Sequence, residues 1–189
     1  TISGSSITCP RKYKKSFFIL VAFLILLNFP LLSFASDISI NSKAAVLVEY
    51  NTGKILYEKN STQKMYPAST TKIMTALLVL ENCTLTDMVT VSPTALESIP
   101  DGYVTCNLQV GEEISVEDLM YALMVPSAND AACVLAEHVA GSVQAFSNMM
   151  NQKALDLGCT NTHFVNPNGI HDDAHYSTAY DMYLIANEA

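Results

Sequence analysis

The chain reads as an α+β domain, mostly helical, opened by a β-hairpin. Two short apolar runs around an Asn-Thr-Gly turn predict the hairpin. Later segments with apolar residues at helical spacing, ended by Gly, Pro and Ser/Thr signals, predict the helices. The 189 residues suit about one domain with one sizeable core. A hydrophobic half and 15% charged residues place it among folded chains rather than disordered ones.

The N-terminal segment stands apart. Arg11, Lys12, Lys14 and Lys15 precede an apolar run from Phe17 to Leu27, extended by Phe29, Leu31, Leu32 and Phe34. Ser33-Phe34-Ala35 ends it with small residues at the positions a signal peptidase reads. Residues 1–35 are therefore expected to be an export signal cleaved after Ala35, with 36–189 as the mature part of the domain. The alternative is a retained anchor, but Asn28 and Pro30 leave the run short of the ~20 residues that span a bilayer. The location expected is extracytoplasmic. Four of the ten basic residues and none of the eighteen acidic ones lie in that segment. The rest then has 6 basic against 18 acidic residues, a net charge of 6 − 18 = −12. Such a surface is a poor partner for nucleic acid or anionic lipid. Cys83, Cys106, Cys133 and Cys159 are widely spaced, with no C-x-x-C. Export permits disulfides, but the preferred reading is four small buried hydrophobes.

Ala44–Tyr50 and Lys54–Lys59 form the hairpin, with Asn51-Thr52-Gly53 as its turn. From Ser69 to Glu81 the pattern Ile73, Ala76, Leu77, Leu80, widened by Met74 and Leu78, predicts a buried central helix. Met88–Val91 suits a short strand, and Ser92–Gln109 a long surface loop. Glu112-Glu113 reads as a solvated turn. Ser115-Val116-Glu117-Asp118 resembles a capping box for a helix ending at Val125-Pro126. A further helix is expected from Ser127, its N-cap, to Ala140, and another from Ser142 to Leu157. Asn166-Pro167-Asn168-Gly169 is a turn, and Ser177–Asp181 caps a last helix.

Ser69-Thr70-Thr71-Lys72 places a serine and a lysine on one helix face, one turn apart. A serine hydroxyl needs a base to become a nucleophile. A lysine can serve if burial lowers its pKa, and the helix N-terminus favours the developing oxyanion. Alone the pattern also suits an ordinary helix start with a solvated lysine. Ser127-Ala128-Asn129 sits between two helices and admits two readings as well. It is a plain cap, or it sets a proton-relaying hydroxyl and a carbonyl-holding amide beside the first motif.

Together the motifs resemble the penicillin-recognising serine enzymes, marked by S-x-x-K, S-x-N and K-T-G. Asn51-Thr52-Gly53-Lys54, Pro67-Ala68-Ser69-Thr70-Thr71-Lys72-Ile73-Met74, Ser127-Ala128-Asn129-Asp130, Phe164–Gly169 and His175–Asp181 narrow the resemblance. They are similar to the low-molecular-weight D-alanyl-D-alanine carboxypeptidases from about Ala44 to Ala189. That resemblance implies a β-lactamase/transpeptidase-like fold, with Ser69 as acylated nucleophile and Lys72 as general base. Ser127 would complete the proton relay and Asn129 would bind substrate. It implies peptidoglycan pentapeptide stems as substrate, β-lactams as acylating inhibitors, and no metal or cofactor. No Lys-Thr-Gly follows Asn129. The third motif, the remaining sheet strands and any C-terminal membrane attachment are therefore expected beyond Ala189, with full activity of residues 36–189 alone in doubt. Rival readings are a D,D-endopeptidase of the same fold, a class A β-lactamase and an inactive wall-binding homologue. The β-lactamase would need a Glu-x-x-Leu-Asn segment, and none occurs between Asn129 and Ala189. His171 and His175, four apart, are a weak metal pair in a loop, and His138 and His163 read as isolated structural residues.

The export reading has a direct check. Sequencing the N-terminus of protein secreted by a bacterial host should begin at Ser36 or within a few residues. Retention of Phe17–Leu27 in the mature protein would show an anchor instead.

Overall fold

Polar side chains decide where most elements begin, and glycine or proline where they end. The computed structural model describes residues 39–97 and 99–189. The segment read as an export signal lies outside them. Strand β1 (Ala45–Val48) pairs antiparallel with β2 (Ile55–Lys59), as the two runs on either side of the Asn-Thr-Gly turn predict. Their turn is held by one carboxylate: Glu49 accepts the N–H groups of Asn51 at 3.1 Å and Thr52 at 2.8 Å, and the Thr52 hydroxyl.

The hairpin is not the lone sheet. Strand β3 (Met88–Thr90) pairs antiparallel with β4 (Glu113–Ser115), which corrects the reading of Glu113 as part of a turn. β4 was hidden because it is three residues long and lies directly against a helix. Glu112 does turn, its carboxylate accepting the Gln109 N–H at 3.0 Å. The stretch expected to be loop throughout contains a short helix, α2 (Pro93–Glu97), which follows α1 (Lys72–Asn82) and β3 in the chain. Ser92 Oγ accepts the Ala95 N–H at 3.1 Å and so caps it.

The other helices follow their signals. α3 (Val116–Met124) starts at Ser115, whose Oγ accepts the Asp118 N–H at 3.1 Å. α4 (Asn129–Ala140) ends at Gly141 in the left-handed conformation. α5 (Val143–Asp156) starts at Ser142, and α6 (Ala179–Glu188) at Thr178. Residues 42–189 form one compact unit. Its core runs along α1 and α4: Met74, Leu77, Leu78 and Val79 face Ala131, Ala132, Val134, Leu135 and Ala136 in one buried cluster. Phe146 and Met150 of α5, Phe164, and Ile185 of α6 complete it. Of the four described cysteines, Cys133 and Cys159 are buried as expected, whereas Cys83 is half-buried and Cys106 is exposed, which corrects the reading of four buried hydrophobes; among the described residues none forms a disulfide.

A strap from Phe164 to Ile170 crosses the start of α1. Asn151 holds its first residue at both ends, accepting the Phe164 N–H at 2.7 Å and donating to the Phe164 carbonyl at 2.8 Å. Ser147 Oγ donates to the Val165 carbonyl at 2.8 Å, and Thr75 Oγ1 to the Pro167 carbonyl at 2.6 Å. At its far end Gly169, at φ +82°, lies so close to Ala68 that an added Cβ would stand 1.9 Å from the Ala68 carbonyl oxygen. A side chain there has no flexible neighbour to displace, because the obstacle is backbone. Gly169→Ala should therefore cost about 2 kcal/mol or more in urea unfolding. A loss under about 0.5 kcal/mol, the level of an ordinary surface change, would show that the strap is not pressed on the Ala68 peptide.

Candidate active site

Ser69 stands on a single 3₁₀ turn, Ala68–Thr71, that runs into α1. The spacing suggests a continuous α-helix from Ser69, but the tighter turn serves the pair better. With three residues per turn, i and i+3 eclipse. Lys72 Nζ accordingly lies 3.3 Å from Ser69 Oγ. Ser69 is exposed, while Lys72 is 2% exposed.

The lysine amine is fully coordinated. Besides Ser69 it donates to Asn129 Oδ1 at 3.0 Å and to the Asn168 carbonyl at 2.8 Å. Three N–H groups meet three acceptors, which is the full donor capacity of an ammonium. Neither of the other two acceptors is a carboxylate, so no full negative charge compensates the ammonium there. Burial pulls the Lys72 pKa down to about 8, with Cys133 nearby opposing the shift.

Ser127 does not cap α4. The N-cap is Ala128, and it makes no side-chain capping bond. Ser127 adopts φ +63°, a conformation that strains a residue with a Cβ by about 1–3 kcal/mol. Its Oγ is buried and has no hydrogen-bond partner, the one such side-chain atom found among the described residues. Strain and an unmet hydroxyl on one residue fit a functional position rather than a structural cap. Next to it, Asn129 is gripped from the opposite wall. Its backbone N–H and its Nδ2 both donate to the Val104 carbonyl at 2.9 Å. Asp130 fixes that wall further, accepting from the Cys106 and Leu108 N–H groups at 3.0 and 3.2 Å.

All four residues singled out by sequence thus converge. Ser69, Ser127 and Asn129 line a cleft of about 320 Å³ with Tyr103, Val104 and Ile170, and Lys72 sits beneath Ser69. A larger hollow of about 690 Å³ beside β1 is mostly apolar and contains none of the four. Three contributors escaped the sequence reading. The Asn168 carbonyl is a backbone atom in what reads only as a turn. Asp130 passes for a helix-start acid. His175 reads as half of a metal pair, yet it is buried with both ring nitrogens engaged, whereas exposed His171 lies 3.6 Å from Asp173. The pair does not converge on a common ligand. His163 fits its structural reading, with Nδ1 2.7 Å from the Ala174 carbonyl. His138 is not isolated: it lies with Cys83 and Asp87, their donor atoms within 4.8 Å of one another. Asp87 already accepts the Thr84 N–H and hydroxyl.

The buried amine makes a thermodynamic prediction. The folded chain releases the Lys72 proton near pH 8, the unfolded chain near 10.5. Between these values the unfolded state holds more protons, so stability rises with pH, is complete above 10.5, and is lost as pH falls through 8. The unfolding free energy of wild type minus that of Lys72→Met should rise by about 3 kcal/mol across the window. A flat difference would mean an ordinary, hydrated lysine.

Comparison with known proteins places this geometry. Residues 32–189 match the peptidase family described as D-alanyl-D-alanine carboxypeptidase. D-alanyl-D-alanine carboxypeptidase DacF of Bacillus subtilis is 41% identical over 158 residues, covering 81% of this chain and 40% of the relative. DacC of Escherichia coli is 39% identical over 155 residues, covering 78% and 39%. The crystal structure of DacD from Francisella tularensis superposes with TM-score 0.75 at 38% identity, over 80% of this chain and 37% of that one. Penicillin-binding protein 5 from Haemophilus influenzae gives 0.75 at 37%, over 80% and 46%. The chain spans about 40% of the length of the curated relatives it matches. From its sequence, its fold and the serine–lysine pair in its cleft, this chain belongs to the D-alanyl-D-alanine carboxypeptidase family.

Proposed function

We propose that the chain provides the acyl-transfer half of an exported serine D-alanyl-D-alanine carboxypeptidase that trims peptidoglycan stem peptides and is acylated by β-lactams. One observation carries the reading: the Lys72 amine reaches Ser69 Oγ while its other two N–H groups are satisfied by Asn129 Oδ1 and the Asn168 carbonyl. When Lys72 loses a proton, those two shorter bonds can persist, and the lone pair is left facing the Ser69 hydroxyl. A pKa of about 8 keeps a useful neutral fraction near neutrality.

The reaction then runs with its protons accounted for. Ser69 Oγ bonds to the penultimate carbonyl carbon as its proton passes to Lys72 Nζ. The N-terminus of the 3₁₀ turn and α1 favours the oxyanion. Collapse breaks the peptide bond, and D-alanine leaves with the proton that Lys72 took, relayed through the Ser127 hydroxyl, which leaves acyl-Ser69 and a neutral Lys72. Water then gives its proton to Lys72 as it attacks the ester, and that proton returns to Ser69 Oγ as the acyl group departs. A β-lactam's strained amide takes the same attack. Among the described residues lining the cleft no carboxylate is present to speed deacylation, which favours a slow-turnover target over a β-lactamase.

The test belongs on the full-length protein. A labelled penicillin should add one acyl group at Ser69, seen by mass spectrometry, and Ser69→Ala should abolish it. Lys72→Ala should slow acylation by ~10²–10⁴-fold, and Lys72→Arg should not rescue, since arginine stays protonated. Asn129→Ala should cost less than Lys72→Ala. The adduct should persist for minutes or longer. Label on another residue, or fast penicillin turnover, would sink the assignment. Muropeptide analysis with stem and cross-linked substrates separates the carboxypeptidase from an endopeptidase of the same fold.

A further inference from the structure

Behind Lys72 lies a buried imidazole that the acyl-transfer scheme leaves without a role. His175 is 2% exposed. Its Nδ1 accepts the Val165 N–H at 3.0 Å. A backbone amide only donates, so Nδ1 carries the lone pair and the neutral ring holds its proton on Nε2. That proton faces Thr71 Oγ1 at 2.8 Å. Thr71 is fully buried and directly precedes Lys72. Phe164 packs edge-on against the ring, with centroids 5.5 Å apart.

One ring therefore joins the last residue of the 3₁₀ turn to the strap whose other end supplies the Asn168 carbonyl to Lys72. The other side-chain ties of the strap reach α1 through Thr75, α4 through Cys133, whose Sγ accepts from Asn168 Nδ2 at 3.4 Å, and α5 through Ser147 and Asn151. His175 ties the strap to the residue beside the base. Its geometry needs a single protonation state, since a proton on Nδ1 would confront the Val165 N–H. The surroundings maintain that state. Burial holds the His175 pKa down to about 4, opposed by Asp172 and reinforced by His163 and His171. The low pKa of Lys72 is itself a burial effect, opposed by Cys133. It lasts only while the strap covers the amine.

We propose that His175 is a positioning residue for acyl transfer, acting through Thr71 and Val165 to hold the 164–170 strap over Lys72 and keep the base out of water. The proposal rests on the acyl-Ser69 reading.

The experiment follows Ser69 acylation by fluorescent penicillin against pH in the full-length protein, with thermal melting in parallel. His175→Ala should slow acylation at neutral pH by about 10²-fold, the size of effect a small misplacement can have. The midpoint of its pH–rate profile should move from near 8 toward 10.5 as water reaches the amine. His175→Gln carries one amide donor and one carbonyl acceptor, so it should restore most of the rate and the original midpoint. Thr71→Val removes the acceptor without removing the ring, should shift the midpoint the same way, and carries the test if His175→Ala does not fold. Imidazole ¹⁵N signals of the wild type should show Nε2–H with Nδ1 as acceptor. An Nδ1–H tautomer overturns the proposal. So do unmoved midpoints in the variants, with lower melting temperatures alone, because a merely structural role predicts that pattern. Wild type that takes no label at Ser69 overturns the acyl-serine reading and this inference together, whereas normal wild-type labelling with unmoved midpoints overturns this inference only.

Discussion

A single amine, taken out of water without a carboxylate bonded to it, organises the site. Burying an ammonium is among the more costly acts available to a fold. Lys72 meets that cost with three neutral acceptors drawn from separate parts of the chain: the 3₁₀ turn, the first residue of α4, and the strap. Neutral oxygens satisfy the hydrogen bonds yet do not stabilise the charge as a carboxylate would, so the proton is held loosely. A salt bridge in the same place would hold the ammonium form more firmly and raise the pKa. Much of the surrounding architecture can be understood as the means of bringing those acceptors together and keeping water away.

The helices supply rigidity, and irregular segments supply the atoms. α1 and α4 cross in the core and share the largest part of the buried cluster, so their N-termini, bearing Lys72 and Asn129, are held in fixed relation. The strap has no repeating hydrogen bonds of its own; side chains from α1 and α5 hold it at five backbone atoms. Such side-chain ties let an extended segment lie deep in the molecule without leaving its polar groups unpaired.

Most of the fold was legible because its signals are local. Ser115, Ser142 and Thr178 cap helices where capping chemistry expects them, and the hairpin follows its turn residues. The misses share a cause. β4 is defined by its partner across the sheet rather than by its own three residues. Ser127 looks like a cap in one dimension, and its left-handed backbone becomes visible only when the chain is folded. Ser69, Lys72, Ser127 and Asn129 were readable as a set of side-chain types at characteristic spacings. The Asn168 carbonyl was not, since every residue carries one, and His175 was masked by a neighbour that suggested the wrong pairing.

Asp130 has a wider consequence than anchoring one turn. Its carboxylate takes the Cys106 and Leu108 amides together with the Ala131 N–H in the first turn of α4. Those amides belong to a segment without regular secondary structure, more than twenty residues earlier in the chain. The far wall of the cleft is thereby coupled to the innermost helix: it cannot swing away while the carboxylate keeps its place, although its outer face is open to solvent. The shape of the cleft and the cohesion of the core are joined in this one side chain, so a lineage that reshaped the cleft by loosening this wall would have to weaken the heart of the domain as well.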